Sequence, residues 1–290
     1  MSVLAITVVL ISSMPLSSHA SAEDPVIAAM YDVVVFDSNC IEQQMCEGER
    51  IQHLVEYYGA DWCEPCELIE EQLELLNRSD TFVLQHHPSP QDSSFLSASK
   101  IRFSNEHRLL FIPSLVIDSK GLLTGSSQAL ELSNALSQRN STFAGLTNIN
   151  IDNGTLTWQS SLGDRISVWR TEAIDHQTRN RTHPTLATDF MQFNASNNSA
   201  NISSLTEDLN GHIVVILEQS GTFQLVSDSS NPMGGFELNQ EIGLEKESDQ
   251  SYFSPGQNAI LWTGILVLIL FPALYIRWKL SSEDVLDEKK

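Results

Sequence analysis

An α/β sandwich followed by a smaller β-rich domain is the fold class that this chain of 290 residues predicts. Three observations lead to it. Strand-like apolar segments alternate with helical patterns across residues 31–140, as they do in α/β domains. Residues 147–230 instead contain strand-like segments separated by turn signals, which is typical of β-rich domains. The overall composition, 41% hydrophobic and 18% charged, is that of a folded protein.

The elements of the first domain are predicted from the spacing of its apolar residues. After Cys63 these residues recur at helical spacing, and the short apolar segments on either side have the length of buried strands. A turn at Ser119-Lys120-Gly121 joins an antiparallel pair near the end of the domain. The predicted strands are 32–36, 54–58, 81–85, 114–118 and 122–125, and the predicted helices follow Cys63 and occupy 92–101 and 129–136.

The second domain is predicted to be built from strands because its apolar and polar residues alternate. Asn153-Gly154 separates two such segments and is a strong signal for a two-residue hairpin. Ser220-Gly221 marks a further turn. The predicted strands are 148–151, 156–159, 165–170, 212–218 and 222–226, and the acidic, polar residues 231–258 are predicted to form a stalk.

The two ends of the chain are predicted to be targeting and anchoring segments. Val3–Ile11 is an apolar run and Ala20-Ser21-Ala22 fits a cleavage site, so residues 1–22 are interpreted as a signal peptide. A short N-terminal anchor that is never cleaved is the alternative. Ala259–Ile276 has 18 residues without a charge. A helix of that length extends about 27 Å, enough to cross a bilayer, so a transmembrane helix is predicted there.

Charge fixes the expected orientation and excludes one class of partner. Arg277 and Lys279 follow the apolar segment, whereas residues 250–258 before it contain no basic residue. The positive-inside rule then assigns residues 277–290 to the cytoplasm and both domains to the other side, with the plasma membrane as the favoured location. The net charge of −21, from 16 Lys and Arg against 37 Asp and Glu, excludes a nucleic-acid partner bound through a basic face.

The motif with the clearest chemistry is the C-x-x-C of Cys63 and Cys66, which is predicted to lie between a strand and a helix. At a helix N-terminus, unpaired backbone N–H groups and the helix dipole favour a cysteine thiolate. The first cysteine can then attack a disulfide, and the second, one turn further on, can resolve the mixed disulfide. The alternatives are a permanent structural disulfide and one half of a metal site.

Two segments carry a family resemblance. Tyr58-Gly59-Ala60-Asp61-Trp62-Cys63-Glu64-Pro65-Cys66 resembles the active-site segment of thioredoxins, and Phe111-Ile112-Pro113-Ser114 resembles the Ile-Pro-Thr loop of that family. The resemblance covers residues 31–140 and implies a thioredoxin-like fold and a cis peptide bond before Pro113. It also implies that Cys63 is the nucleophile and Cys66 the resolving thiol. The substrate groove that it implies is formed by Trp62, Pro65, Ile112 and Pro113.

The sequence departs from the thioredoxin pattern in its carboxylates. Glu64 and Glu67 stand where the family has glycine and lysine. Both carboxylates oppose a thiolate at Cys63, which favours a reductase or isomerase over a strong oxidase. The buried acidic residue of the family has no direct counterpart here. Tyr57 occupies its offset, and Glu56, the nearest carboxylate, is the candidate proton relay.

The remaining cysteines and a histidine pair receive structural interpretations. Cys40 and Cys46 are predicted to form a disulfide that closes a small loop, with a second redox pair as the alternative. His86 and His87 are interpreted as solvated loop residues after a strand. Together with the cysteines they could instead bind copper, but no residue is assigned as a metal ligand.

These features together predict a membrane-anchored thiol–disulfide oxidoreductase that acts on protein thiols and disulfides outside the cytosol. Because the redox-active disulfide itself carries the electrons, no organic cofactor is expected, and an electron donor in the membrane is an expected partner. A non-catalytic scaffold with a thioredoxin-like fold is the first alternative. A copper-delivery protein is the second.

Overall fold

The computed structural model of the protein describes residues 26–43, 45–76 and 78–231. The chain divides into two compact units, Met1–Leu238 and Asn239–Lys290, and every described residue belongs to the first unit. The predicted signal peptide, the transmembrane segment, the tail and nearly all of the stalk lie outside the described residues.

Among the described residues, β-strand is the most abundant regular structure. The strands are β1 (Ala29–Asp37), β2 (Cys46–Glu47), β3 (Glu49–Arg50), β4 (His53–Tyr58), β5 (Thr81–His86), β6 (Ser114–Ile117), β7 (Gly121–Thr124), β8 (Leu146–Asp152), β9 (Thr155–Ser160), β10 (Arg165–Asp175), β11 (Thr182–Asn194), β12 (Ser199–Asn201), β13 (Gly211–Gln219) and β14 (Val226–Ser227).

The helices of the described residues are short. They are α1 (Ser38–Ile41), α2 (Cys66–Glu74), α3 (Ser97–Ile101), α4 (Gly125–Ala129), α5 (Leu132–Ser137) and α6 (Ser203–Thr206). A π-helical turn at Arg102–Glu106 continues α3, and a 3-10 turn at Ala195–Asn197 follows β11. The longest of these helices, α2, has nine residues and begins at the second cysteine of the C-x-x-C.

Two sheets organise the fold. The larger sheet has ten strands in the order β14-β7-β6-β4-β5-β11-β10-β13-β1-β3, and the smaller has four in the order β12-β9-β8-β2. Most neighbours in the larger sheet are antiparallel, and the parallel pairs are β4 with β5, β5 with β11 and β7 with β14. Apolar clusters cover the larger sheet, and one of them includes residues of the smaller sheet such as Leu156 and Trp158.

The predicted fold class is wrong, because one mixed ten-stranded sheet replaces the α/β sandwich and the separate β-rich domain. Strands from residues 31–140 and from residues 147–230 pair with each other. β13 pairs along its length with β1, from Ala29 opposite Gln219 to Asp37 opposite His212. β11 adjoins β5 at Leu186 and Gln85. Each edge of a buried strand carries backbone N–H and C=O groups that many different strands could pair with. Local sequence patterns do not identify which strand is the partner.

The single-pass membrane architecture is corrected as well. Within the residues that the structure describes, no helix is both long enough and apolar enough to cross a bilayer. The segment Ala259–Ile276, on which that prediction depended, lies outside the described residues. The predicted location, with two domains outside the cytosol and a cytoplasmic tail, depended on the same helix and is withdrawn with it.

The strand β4 positions the candidate site. It lies between β5 and β6, and all six of its residues are buried. Because side chains alternate along a strand, Val55 and Tyr57 point to one face, where they share an apolar cluster with Cys63, Cys66 and residues of α2. Glu56 points to the opposite face of the sheet.

Candidate active site

Cys63 and Cys66 form a disulfide where the chain passes from β4 into α2, with their Cα atoms 5.3 Å apart. The turn between the two elements is held by backbone hydrogen bonds of 3.0 Å, from the Cys63 N–H to the Ala60 carbonyl and from the Cys66 N–H to the Cys63 carbonyl. Cys63 is 6% exposed and Cys66 is 1% exposed. The outer cysteine is therefore the one that precedes the helix, which is the order needed for a nucleophile followed by a resolving thiol.

The surface next to Cys63 carries exposed apolar groups. Trp62 is 54% exposed, and Pro65 is exposed on the other side of Cys63 in the chain. Phe111, which precedes the proline loop, is 59% exposed. Large apolar side chains left in water in this way are suited to contact a partner polypeptide.

The proline loop lies at the end of β4 from which the cysteine turn emerges. Ser114 pairs with Tyr58, the last residue of β4, so the preceding loop reaches the same end of the sheet. Ile112 is half-buried and packs against the apolar cluster that contains both cysteines. The peptide bond between Ile112 and the buried Pro113 is cis, the isomer that the resemblance implied.

The candidate proton relay, Glu56, is not brought to the cysteines. Its neighbour Tyr57 shares their cluster, and successive residues of a strand point to opposite faces. The Glu56 carboxylate instead contacts the Arg102 guanidinium and lies 3.1 Å from His107 Nε2. Burial opposes ionisation of Glu56, but the charge of Arg102 and the contact with His107 outweigh it and hold the pKa of Glu56 well below its usual value.

Glu56 belongs to a buried group of charges, here called the arginine cluster. Its members are Glu56, Glu106, Glu218, Arg102 and Arg165. Arg102 bridges Glu106 at 2.9 Å and Glu218 at 2.8 Å, while Arg165 contacts the same two carboxylates at 2.6 and 2.5 Å. Each carboxylate of this cluster therefore has at least one guanidinium partner, which compensates for the loss of water around it.

The side of the cysteine pair that faces α2 has its own buried carboxylate. Glu70, one helical turn after Cys66, accepts a hydrogen bond of 3.2 Å from the Tyr57 hydroxyl and lies 3.1 Å from Arg181. Burial, followed by the charge of Glu70, raises the pKa of Tyr57 well above its usual value, so the phenol stays protonated. On the outer surface of α2, Arg179 forms an ion pair with Glu67, which offsets one of the two carboxylates that oppose a thiolate at Cys63.

The second disulfide joins Cys40 and Cys46 across the loop after β1, as predicted for the structural bridge. Cys46 is 1% exposed and packs in the apolar cluster between the two sheets. This disulfide and the C-x-x-C pair belong to different apolar clusters, and no contact joins them within the described residues. The arrangement suits a loop closure rather than an electron shuttle.

Sequence reasoning missed a buried group of histidines and aspartates beside the C-x-x-C, here called the histidine cluster. Its members are Asp61, Asp92, His87, His176 and His183. Asp61 is at the centre: its Oδ1 lies 2.8 Å from His183 Nε2 and 3.6 Å from His176 Nε2. Burial lowers the pKa of His183. The expectation that His87 is solvated is wrong, because its side chain is completely buried, as is that of His86, whose pKa burial lowers to about 4.

Asp92 joins the histidine cluster through the loop after β5. Its Oδ2 accepts a hydrogen bond of 2.7 Å from the Asp61 N–H, and its Oδ1 lies 3.1 Å from His87 Nδ1. Burial opposes ionisation of Asp92, but the contact with His87 and the N–H groups of Asp61 and Ser94 outweigh it and lower its pKa to about 2. The carboxylate is therefore charged at neutral pH.

One half of the histidine cluster could have been found from the sequence. The parallel pairing of β4 with β5 places Tyr58 opposite His86, so the residues just after each strand, including Asp61 and His87, emerge at one end of the sheet. The other half could not have been found in this way. His176 directly follows β10, and His183 is the second residue of β11, the strand that forms a long hairpin with β10. Only the pairing of β11 with β5 brings that hairpin to the cysteine loop.

Comparison with known proteins leaves the chain without a demonstrated family. No protein-family model matches it, and no curated protein does. Among solved structures, a protein from Agrobacterium tumefaciens determined by structural genomics is similar over 58% of this chain and 79% of its own length. The two sequences are 12% identical over that match and the TM-score is 0.41, a similarity that supports no conclusion about fold or function.

Proposed function

We propose that this protein is a thiol–disulfide oxidoreductase that exchanges electrons between the Cys63–Cys66 pair and the thiols or disulfides of other proteins. The observation that carries the proposal is the position of the pair. One disulfide joins the two cysteines at the turn between a buried strand and the start of a helix, and the exposed Trp62 lies next to the outer cysteine. The resemblance of both sequence segments to thioredoxins supports the same chemistry.

The reaction requires only the two sulfur atoms and a substrate disulfide. In the reductive direction the Cys63 thiolate attacks one substrate sulfur, the substrate S–S bond breaks, and the leaving thiolate takes up a proton. The Cys66 thiolate then attacks the Cys63 sulfur, which releases the second substrate thiolate and closes the Cys63–Cys66 disulfide. Two electrons pass to the substrate, and Cys63 and Cys66 return to the bonded form seen in the structure.

The direction of electron flow follows from what stabilises the thiolate. The N-terminus of α2, which begins three residues after Cys63, favours a negative charge at Cys63, whereas Glu64 and Glu67 oppose it. Arg179 offsets Glu67, and among the described residues no cationic side chain contacts Glu64. One uncompensated carboxylate leaves a modest bias towards a reductase or isomerase.

An inert bridge in a binding scaffold is the second candidate, and the burial of both cysteines favours it. An activity assay with matched variants separates the two functions. The full-length protein is mixed with insulin and dithiothreitol, and the rate of insulin disulfide reduction is measured. We expect wild type to accelerate the reaction and Cys63→Ser to return it to the uncatalysed rate. Cys66→Ser is expected to accumulate a mixed disulfide with insulin.

The second disulfide of the chain provides the control. The double variant Cys40→Ser/Cys46→Ser removes a disulfide of similar Cα separation, 5.2 Å, that lies away from the C-x-x-C. We expect this variant to keep the activity of wild type at a temperature where it is folded. Equal activity of Cys63→Ser and wild type would contradict the proposal and leave the scaffold function.

A further inference from the structure

We propose that the histidine cluster binds one divalent metal ion through His87 Nδ1 and the carboxylates of Asp61 and Asp92. The ligand atoms of these three residues lie within 4.8 Å of one another, and all three side chains are buried. Three protein ligands around one point are the number that metal ions with an open coordination position use.

His87 has the buried ring nitrogens without hydrogen-bond partners that are expected of a metal ligand. Its ring is completely buried, yet neither nitrogen makes a hydrogen bond. Nδ1 lies 3.1 Å from Asp92 Oδ1 but off the direction of a hydrogen bond. A buried polar atom of this kind costs free energy unless it has a partner, and a metal ion is one of the recognised partners.

The charge of the cluster also favours a metal ion. Asp61 and Asp92 bring two carboxylates into a buried position, and among the described residues no lysine or arginine contacts either of them. Within the described part of the chain, the polar contacts of these two carboxylates are with histidines and N–H groups. Buried charges in proteins are paired or coordinate metals, and a divalent cation would balance this pair.

Neighbouring groups already hold the carboxylates of Asp61 and Asp92 in place. The Gln177 N–H donates to Asp61 Oδ2 at 3.0 Å, and His183 Nε2 lies 2.8 Å from Asp61 Oδ1. The Ser94 N–H donates to Asp92 Oδ1 at 3.0 Å. Groups that orient the ligands in this way are a regular part of metal sites, and their loss weakens metal binding. A carboxylate has about four lone-pair directions, so room for a metal remains on both.

The ligand types indicate which ion would bind. One imidazole and two carboxylates suit zinc and other borderline divalent ions, whereas copper(I) prefers sulfur. No cysteine takes part, so the site differs from the Cys-and-His copper site considered from the sequence. It also stands independently of the proposed redox activity, because it needs neither Cys63 nor Cys66.

Equilibrium dialysis of the full-length, oxidised protein against Zn²⁺, with metal analysis, tests the inference. We expect one zinc per chain and at least about a tenfold loss of affinity in His87→Gln and in Asp92→Asn. His212→Gln is the matched control, because His212 is a partly buried histidine outside the cluster that also lies near a carboxylate, that of Asp37. It is expected to bind zinc as wild type does. Zn²⁺ should raise the melting temperature of wild type and not that of Asp92→Asn.

Several outcomes would overturn the inference. Absence of zinc binding by the folded wild type is one, and unchanged affinity in both cluster variants is another. Loss of binding in a Cys63→Ser/Cys66→Ser variant would show that the cysteines hold the metal. If His87→Gln fails to fold, Asp92→Asn decides, and Co²⁺ bound to wild type provides a second measurement. The visible absorption of the bound Co²⁺ should be that of cobalt with nitrogen and oxygen ligands. A sulfur-to-cobalt charge-transfer band would contradict the inference.

Discussion

The arginine cluster and the histidine cluster are both buried next to β4 and the loop after it, but they balance negative charge in different ways. In the arginine cluster, each of three carboxylates forms an ion pair with at least one of two guanidinium groups. In the histidine cluster, two carboxylates contact imidazoles and N–H groups, and no described lysine or arginine reaches them.

The two clusters therefore differ in whether the protein itself supplies the cations that balance the carboxylates. The arginine cluster supplies its own cations and lies on the face of β4 opposite the cysteines, where its ion pairs connect residues of β4, β10 and β13. The histidine cluster includes Asp61, two residues before Cys63, and lacks a cation of its own. Perturbed, incompletely balanced charges of this kind are found more often at functional sites than elsewhere, which is why the metal site is proposed here.

The largest effect is expected from breaking the arginine cluster. Arg102→Met leaves Glu56 and Glu218 buried with fewer cationic partners, and we expect it to lower the free energy of unfolding by about 3–5 kcal/mol. Urea denaturation measures the change. Arg78→Ala is the control, because both side chains of the Arg78–Asp80 pair remain partly exposed to water and the pair is expected to contribute less than about 1 kcal/mol. If the two variants lowered the free energy of unfolding equally, the buried carboxylates would not depend on Arg102 for their charge balance.

The next effect is the response of stability to acid. In the unfolded chain Glu56 titrates with a pKa of about 4.3, whereas in the fold its pKa, like that of Glu218, is lowered. As the pH falls from about 5 to 3, the unfolded chain takes up protons that the folded chain does not, so the free energy of unfolding falls. Glu56→Gln should be less stable at pH 7 and should show a shallower fall. A slope equal to that of wild type would contradict the assignment.

The smallest effect is expected from the histidine cluster in metal-free buffer. Asp92→Asn removes one of two carboxylates that lack a guanidinium partner and keeps one side-chain oxygen for the N–H donors. We expect a loss of about 1–2 kcal/mol in the free energy of unfolding, because His87 and the N–H donors favour the charged form of Asp92. Glu218→Gln, measured in parallel, should lower the free energy of unfolding further, because Arg102 and Arg165 lose a charged partner. The reverse order would remove the distinction between the two clusters.

The elements around the cysteines were predictable because their signals are local. The helix predicted after Cys63 is α2, the strands predicted at 54–58 and 81–85 are β4 and β5, and the predicted antiparallel pair is β6 with β7. Apolar spacing and a turn at residues 119–121 are sufficient for each of these elements. The helix predicted at 92–101 is shorter, from Ser97 to Ile101.

The fold class and half of the site depend on contacts between distant residues. No local pattern shows that β1 pairs with β13, which lies more than 170 residues further along the chain. The same limit explains the error at His86 and His87. Their segment looks like a solvated loop until β11 and His183 are placed against it, with the His87 and His183 ring centroids 4.7 Å apart. Glu56 was chosen by its distance along the sequence, but its side chain lies on the opposite face of β4.

The two disulfides of the chain allow the redox activity of Cys63–Cys66 to be tested in a single sample. The full-length protein is equilibrated in graded thiol–disulfide buffers, free thiols are trapped, and each cysteine is quantified by mass spectrometry. We expect reversible reduction of Cys63–Cys66 between about −120 and −270 mV, with Cys40–Cys46 still oxidised below about −300 mV. Resistance of Cys63–Cys66 to reduction below about −300 mV, as a structural bridge shows, would contradict it.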